Sequence, residues 1–107
     1  MDINKKTIEF ASYIRNTPEF KNLQKCRSDL DKNKNLKRQL DNYQSKKNNI
    51  YSRYDAKNAY KMLLSLDNDY VDFFKNPIIS KYVLASNEFN NMIESVYKLI
   101  EKELLKK

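Results

Sequence analysis

The sequence predicts an all-α protein: a bundle of about five amphipathic helices, including long antiparallel hairpin-like helices, with the longest at the C-terminus. Three observations carry this expectation. The 107 residues include no Gly and only two Pro, and tight hairpin turns lean on Gly for positive φ. Lys, Asn and Leu dominate, and Asn and Asp are weak helix formers but good caps, able to end helices where Gly is missing. Apolar residues also recur at three- and four-residue spacing along most of the chain.

The first segment runs from about Asp2 to Arg15, with Ile3, Phe10, Ala11 and Ile14 on one face. Asn16-Thr17-Pro18-Glu19 then breaks it. Thr17 suits an N-cap, Pro18 the first helical position, and Glu19 the positive end of the helix dipole. The second segment, about Pro18 to Asp31, buries the side marked by Phe20, Leu23, Cys26 or Arg27, and Leu30. A polar turn follows at Asp31 to Asn35. The third segment spans about Asn33 to Arg53, and Leu36, Leu40, Tyr43, Lys47, Ile50 and Tyr54 give it a heptad-like rhythm. Lys47 interrupts that run, so its stem is expected to pack while its ammonium reaches water.

A loop is expected around Tyr54 to Asn58. The fourth segment continues to about Lys75, with Ala59, Leu63, Leu66, Tyr70 and Phe73 on one face, widened by Met62 and Phe74. Asn76-Pro77 is the clearest break. The fifth segment, Pro77 to about Leu105, carries Ile79, Tyr82, Ser86, Phe89, Ile93, Val96 and Ile100 at strict heptad spacing. A helix of about 28 residues is about 42 Å long. Its stripe outruns what the first or second segment can cover, so the third or fourth segment or another subunit must lie along it.

The length favours one domain, residues 1–107. Long helices in so short a chain leave a lone monomer marginal, and self-association is the natural remedy. No stretch approaches the ~20 apolar residues of a membrane span, and the N-terminus lacks the apolar run of a signal peptide. Cys26, the single cysteine, has no intrachain disulfide partner. A cytoplasmic protein is expected.

No catalytic, metal or cofactor site is expected. The chain has no His, so no Ser-His-Asp or Cys-His arrangement exists, and without Gly there is no Gly-rich phosphate loop. Asp67, Asp69 and Asp72 form the densest acidic cluster; a solvated face explains them better than a divalent cation. Cys26 alone cannot supply an iron–sulfur cluster, which needs about four thiolates, and reads as a packing residue.

The net charge of +7 is concentrated. Lys21 to Arg53 holds ten Lys/Arg against three Asp, so the remainder is neutral. This segment suits nucleic acid or an acidic protein, with Lys34, Lys37, Arg38, Lys46, Lys47 and Arg53 as the candidate basic surface. Tyr43, Tyr70, Tyr82 and Phe89 fall on the heptad stripes and read as packing residues, whereas Tyr51, Tyr54 and Tyr60 are better placed for exposed contacts. For a self-interface the fifth segment is the candidate, with Tyr82, Phe89, Ile93 and Val96 central.

The arrangement resembles the YlbF/YmcA family of small helical regulators of Gram-positive bacteria. The carrying residues are the early helix Ile8 to Ile14; Glu19-Phe20-Lys21-x-Leu23 after a short break; and Leu36, Leu40 and Tyr43 in a long helix. Asn76-Pro77-Ile78-Ile79-Ser80-Lys81-Tyr82, leading into Ala85 to Ile93, completes the likeness over roughly residues 5 to 105. The resemblance implies a non-enzymatic helical bundle that forms homo-oligomers, with a dimer favoured, or oligomers with family paralogues. It also implies a link to RNA processing through ribonuclease Y, and to competence, sporulation and biofilm development. Some members help to hold iron–sulfur clusters through cysteines, some of them in C-terminal tails. This chain runs to Lys107 without such cysteines.

Overall fold

A computed structural model of the protein describes residues 2–107. Among them are six α-helices: α1 Ile3–Arg15, α2 Pro18–Asp31, α3 Lys34–Arg53, α4 Ala56–Asp69, α5 Val71–Lys75 and α6 Pro77–Leu104. Side chains start most of these helices by accepting from otherwise unpaired first-turn N–H groups. The N–H of Asn4 donates to Asp2 (2.9 Å), that of Phe20 to Thr17 (3.2 Å) and that of Leu36 to Asn33 (3.1 Å). Those of Asn58 and Ile78 donate to Asp55 and Asn76, both at 2.9 Å. No described residue has a positive φ, in keeping with a Gly-free chain.

Two expectations need correction. The loop expected over Tyr54 to Asn58 shrinks to Tyr54 and Asp55, because the Asp55 cap starts α4 at Ala56. The fourth segment is two helices rather than one. Tyr70 has φ −108° and ψ 11°, and its N–H is shared between the carbonyls of Leu66 and Asp67, each at 3.2 Å. The weak helix formers Asp67-Asn68-Asp69 precede this break, and aromatic packing around Tyr70 holds the bend.

The helices form two compact units, residues 28–80 and residues 1–27 with 81–107. In the first, α3 and α4 pair as an antiparallel hairpin. Ile50, Ala59 and Leu66 are buried together, with Tyr43, Leu63 and Tyr70 packed against them. An aromatic cluster closes one end. The Tyr43 ring lies edge-on to Phe74 (4.8 Å) and Tyr70 (5.1 Å), and Phe73 meets Phe74 at 5.3 Å. Such pairs add about 0.5–1.5 kcal/mol each beyond their area. Leu30, Leu40 and Ile79 of this unit are also buried. The stem of Lys47 is half-buried.

In the other unit, α6 runs antiparallel first to α2 and then to α1. The Tyr82 hydroxyl accepts from Arg27 Nη1 at 3.4 Å, and the Phe89 ring lies 5.7 Å from Phe20. Farther along, Val96 to Leu104 border a groove with Phe10. Cys26 and Ala85 are buried. By contrast, α1 contributes no buried residue at all.

Candidate functional site

The apolar stripe of α6 is covered at its start and bare at its end. Ile79 is 0 % exposed, Ile100 47 % and Leu104 79 %. Tyr82, Phe89, Ile93 and Val96 are all half-buried. Of these, Tyr82 and Phe89 are engaged within the chain by Arg27 and Phe20. Val96 instead lines a groove of about 490 Å³ with Phe10, Leu99, Ile100 and Leu104. The apolar face of α1 is equally open, with Ile3 at 78 % and Ile8 at 68 % exposure. Contiguous exposed apolar surface of this kind marks an interaction site, whereas single exposed apolar residues do not. Of the four residues expected at a self-interface, Tyr82 and Phe89 thus lie where α6 is covered within the chain, and only Val96 borders its bare end. Heptad spacing locates the stripe; it does not say how far the rest of the chain covers it.

The six candidate cations of α3 do not form one surface. Successive helical residues turn by about 100°, so Lys46 and Arg53 fall within about 20° of each other, while Lys37 and Lys47 point elsewhere. Lys37 pairs with Asp31 at 3.4 Å, and Arg38 donates to Asn35 at 3.1 Å. Lys34 is exposed. Lys46 donates to the Tyr70 hydroxyl at 3.2 Å, with its ammonium 5.2 Å from that ring's centroid. Lys46 and Arg53 also share a second groove, of about 310 Å³, with Tyr54 and with Asp69 of α4. Tyr51 and Tyr60 are exposed outside it.

The three aspartates have separate surroundings. Asp67 accepts from the Tyr43 hydroxyl at 2.7 Å, Asp69 lines the second groove, and Asp72 lies in the first turn of α5. Among the described residues, no three His, Cys, Asp or Glu side chains gather as a metal site. Burial pushes the Tyr43 phenol up to about 12, helped by the hydrogen bond to Asp67, that carboxylate's negative charge and Tyr51. A phenol so placed stays protonated and holds α3 to α4. The thiol of Cys26 is buried and 3.9 Å from Asn22 Oδ1, a packing environment. No described helix is long and apolar enough to cross a membrane.

An uncovered apolar face on the amphipathic helices of one unit and a basic helical hairpin in the other define a small all-α protein. The chain belongs to the YlbF/YmcA family: the family model described as control of competence regulator ComK, YlbF/YmcA, matches residues 3–104. That membership gives the chain a regulatory role. No curated protein and no solved structure matches it.

Proposed function

We propose that this chain is a non-enzymatic cytoplasmic adaptor that regulates by self-association and protein–protein contact, its two units acting together as one domain. The observation that supports this most is the bare apolar face of α1 and of the C-terminal half of α6. A second copy, or a paralogue with the same helices, is the natural occupant. The end of α6 carries both signs of charge, Glu94, Lys98, Glu101, Lys102, Glu103 and Lys106. Two such helices laid antiparallel about a two-fold axis between Leu99 and Ile100 set Lys98 of one opposite Glu101 of the other. The family's description as a control of ComK supports developmental control, in competence and by extension sporulation or biofilm formation. A ribonuclease Y-type complex is the partner that the family resemblance implies.

Size-exclusion chromatography with light scattering tests the reading. The unaltered chain should run as a dimer or larger, and the double substitution Leu99→Asp, Ile100→Asp should give a folded monomer. A wild-type monomer that captures no partner would overturn it.

A further inference from the structure

The groove between α3 and α4 has a chemistry that self-association does not use. Its floor is apolar, from buried Ile50 and Leu66. One wall presents Lys46 and Arg53, two turns apart on α3, a separation of about 10 Å along the axis. Tyr54 stands at the end, 44 % exposed, and Asp69 faces in from α4. Among the described residues, neither Arg53 nor Asp69 has an ion-pair partner. The volume of about 310 Å³ is at the lower end for ligand pockets, which start near ~300 Å³, and suits one nucleotide-sized group.

From this arrangement we infer that the groove binds single-stranded nucleic acid, taking one splayed base. Arg53 and Lys46 hold flanking phosphates, while Tyr54 offers a stacking face to the base, as aromatic side chains do in single-strand binders. Asp69 decides between this occupant and an acidic peptide. Its carboxylate repels a second carboxylate, but it accepts from the exocyclic amino group of a base, as carboxylates do from cytosine N4. The hairpin as a whole, residues 34–69, carries eight Lys/Arg against four Asp, a positive balance for a strand that continues past the bound base. A duplex keeps its bases stacked and offers none to a groove of this size. The groove lies within residues 28–80 and the proposed self-association face within the other unit, so each stands or falls alone.

Fluorescence anisotropy on the full chain, with labelled oligonucleotides of about ten residues, tests the inference. C-rich and A-rich single strands should bind at low salt, more tightly than U-rich strands or a duplex of equal length. Arg53→Ala should weaken binding by about tenfold and flatten the slope of log affinity against log salt by about 1. Arg53→Lys should keep that slope. Tyr54→Ala should cost about tenfold by loss of stacking, and Asp69→Ala should erase the preference for C and A over U. Lys34→Ala removes the same charge from the same helix outside the groove, and should leave affinity close to that of the unaltered chain. The inference is overturned if Lys34→Ala costs as much as Arg53→Ala, if the duplex binds as well as the single strands, if polyglutamate displaces the strand, or if nothing binds at low salt. Tyr54 and Arg53 are exposed, so unchanged thermal melting of these variants confirms that any loss is local.

Discussion

The two units treat the same kind of sequence differently. Residues 28–80 close on themselves: the hairpin buries Ile50, Ala59 and Leu66 and is sealed by Tyr43, Tyr70 and Phe74. Residues 1–27 with 81–107 carry equally amphipathic helices, yet α1 buries nothing and α6 becomes barer toward its end. Amphipathicity therefore has two outcomes in one chain. Where the loop is short and both helices carry matching stripes, the faces meet each other. Where the stripe of the 28-residue α6 meets helices of 14 and 13 residues, its far end is left bare.

The sharpest way to break this contrast is to truncate one buried and one bare apolar residue. Leu66→Ala should lower the stability of the chain by about 2–5 kcal/mol in urea unfolding, the cost of a cavity in a packed core. Ile100→Ala should cost the separated chain less than about 1 kcal/mol, the effect of most exposed substitutions, and should show instead as weaker self-association. Equal losses of stability would end the distinction between the units.

A smaller effect tests the aromatic seal. Tyr43→Phe keeps the ring contacts and removes the hydrogen bond to Asp67, and should cost about 1 kcal/mol. The same bond gives the closed unit a pH signature. The folded chain holds the Tyr43 proton more tightly than the unfolded chain, whose tyrosines titrate near 10.0. The contribution is thus complete below pH 10 and is lost as pH rises through about 12. In alkaline unfolding, the advantage of the unaltered chain over Tyr43→Phe should narrow across that window.

Smallest is the comparison of caps. Thr17→Ala and Asp55→Ala each remove a first-turn acceptor, typically worth about 0.5–2 kcal/mol. The Asp55 cap starts a helix inside the closed hairpin, so its loss should appear in global unfolding. The Thr17 cap serves the open unit, and hydrogen exchange should show its loss mainly as fraying of the first turn of α2. A global effect from Thr17→Ala would mean that the open unit is as cooperative as the closed one.

Much of the fold was legible because local chemistry writes it. Thr17-Pro18 and Asn76-Pro77 mark helix starts through side-chain caps and a fixed proline φ, and the structure places both starts there. The split at Tyr70 was not legible, because it is held by rings from α3 and α5 that meet only in the folded hairpin. The groove was half legible. Lys46, Arg53 and Tyr54 stood out by charge and by position near a loop, but Asp69 entered only as part of an acidic cluster. Its place on the far wall of the groove depends on how α4 packs against α3, which residue spacing along one helix does not encode. The openness of α1 was hidden for a related reason: periodicity identifies an apolar face and leaves its neighbour unnamed.

The Gly-free junctions have a consequence for the unfolded chain. Every turn between these helices is made by ordinary residues at negative φ, and all but the one at Tyr70 are fastened by side chains such as Asn33 and Asp55. A chain without Gly has fewer conformations to lose on folding, a saving of about 0.5–1 kcal/mol at each position where Gly would otherwise stand. Part of the stability of this small core therefore comes from the poverty of its alternatives. Placing Gly at Asn16, Asn33 or Tyr54 would loosen the fold by enriching the state that it leaves behind.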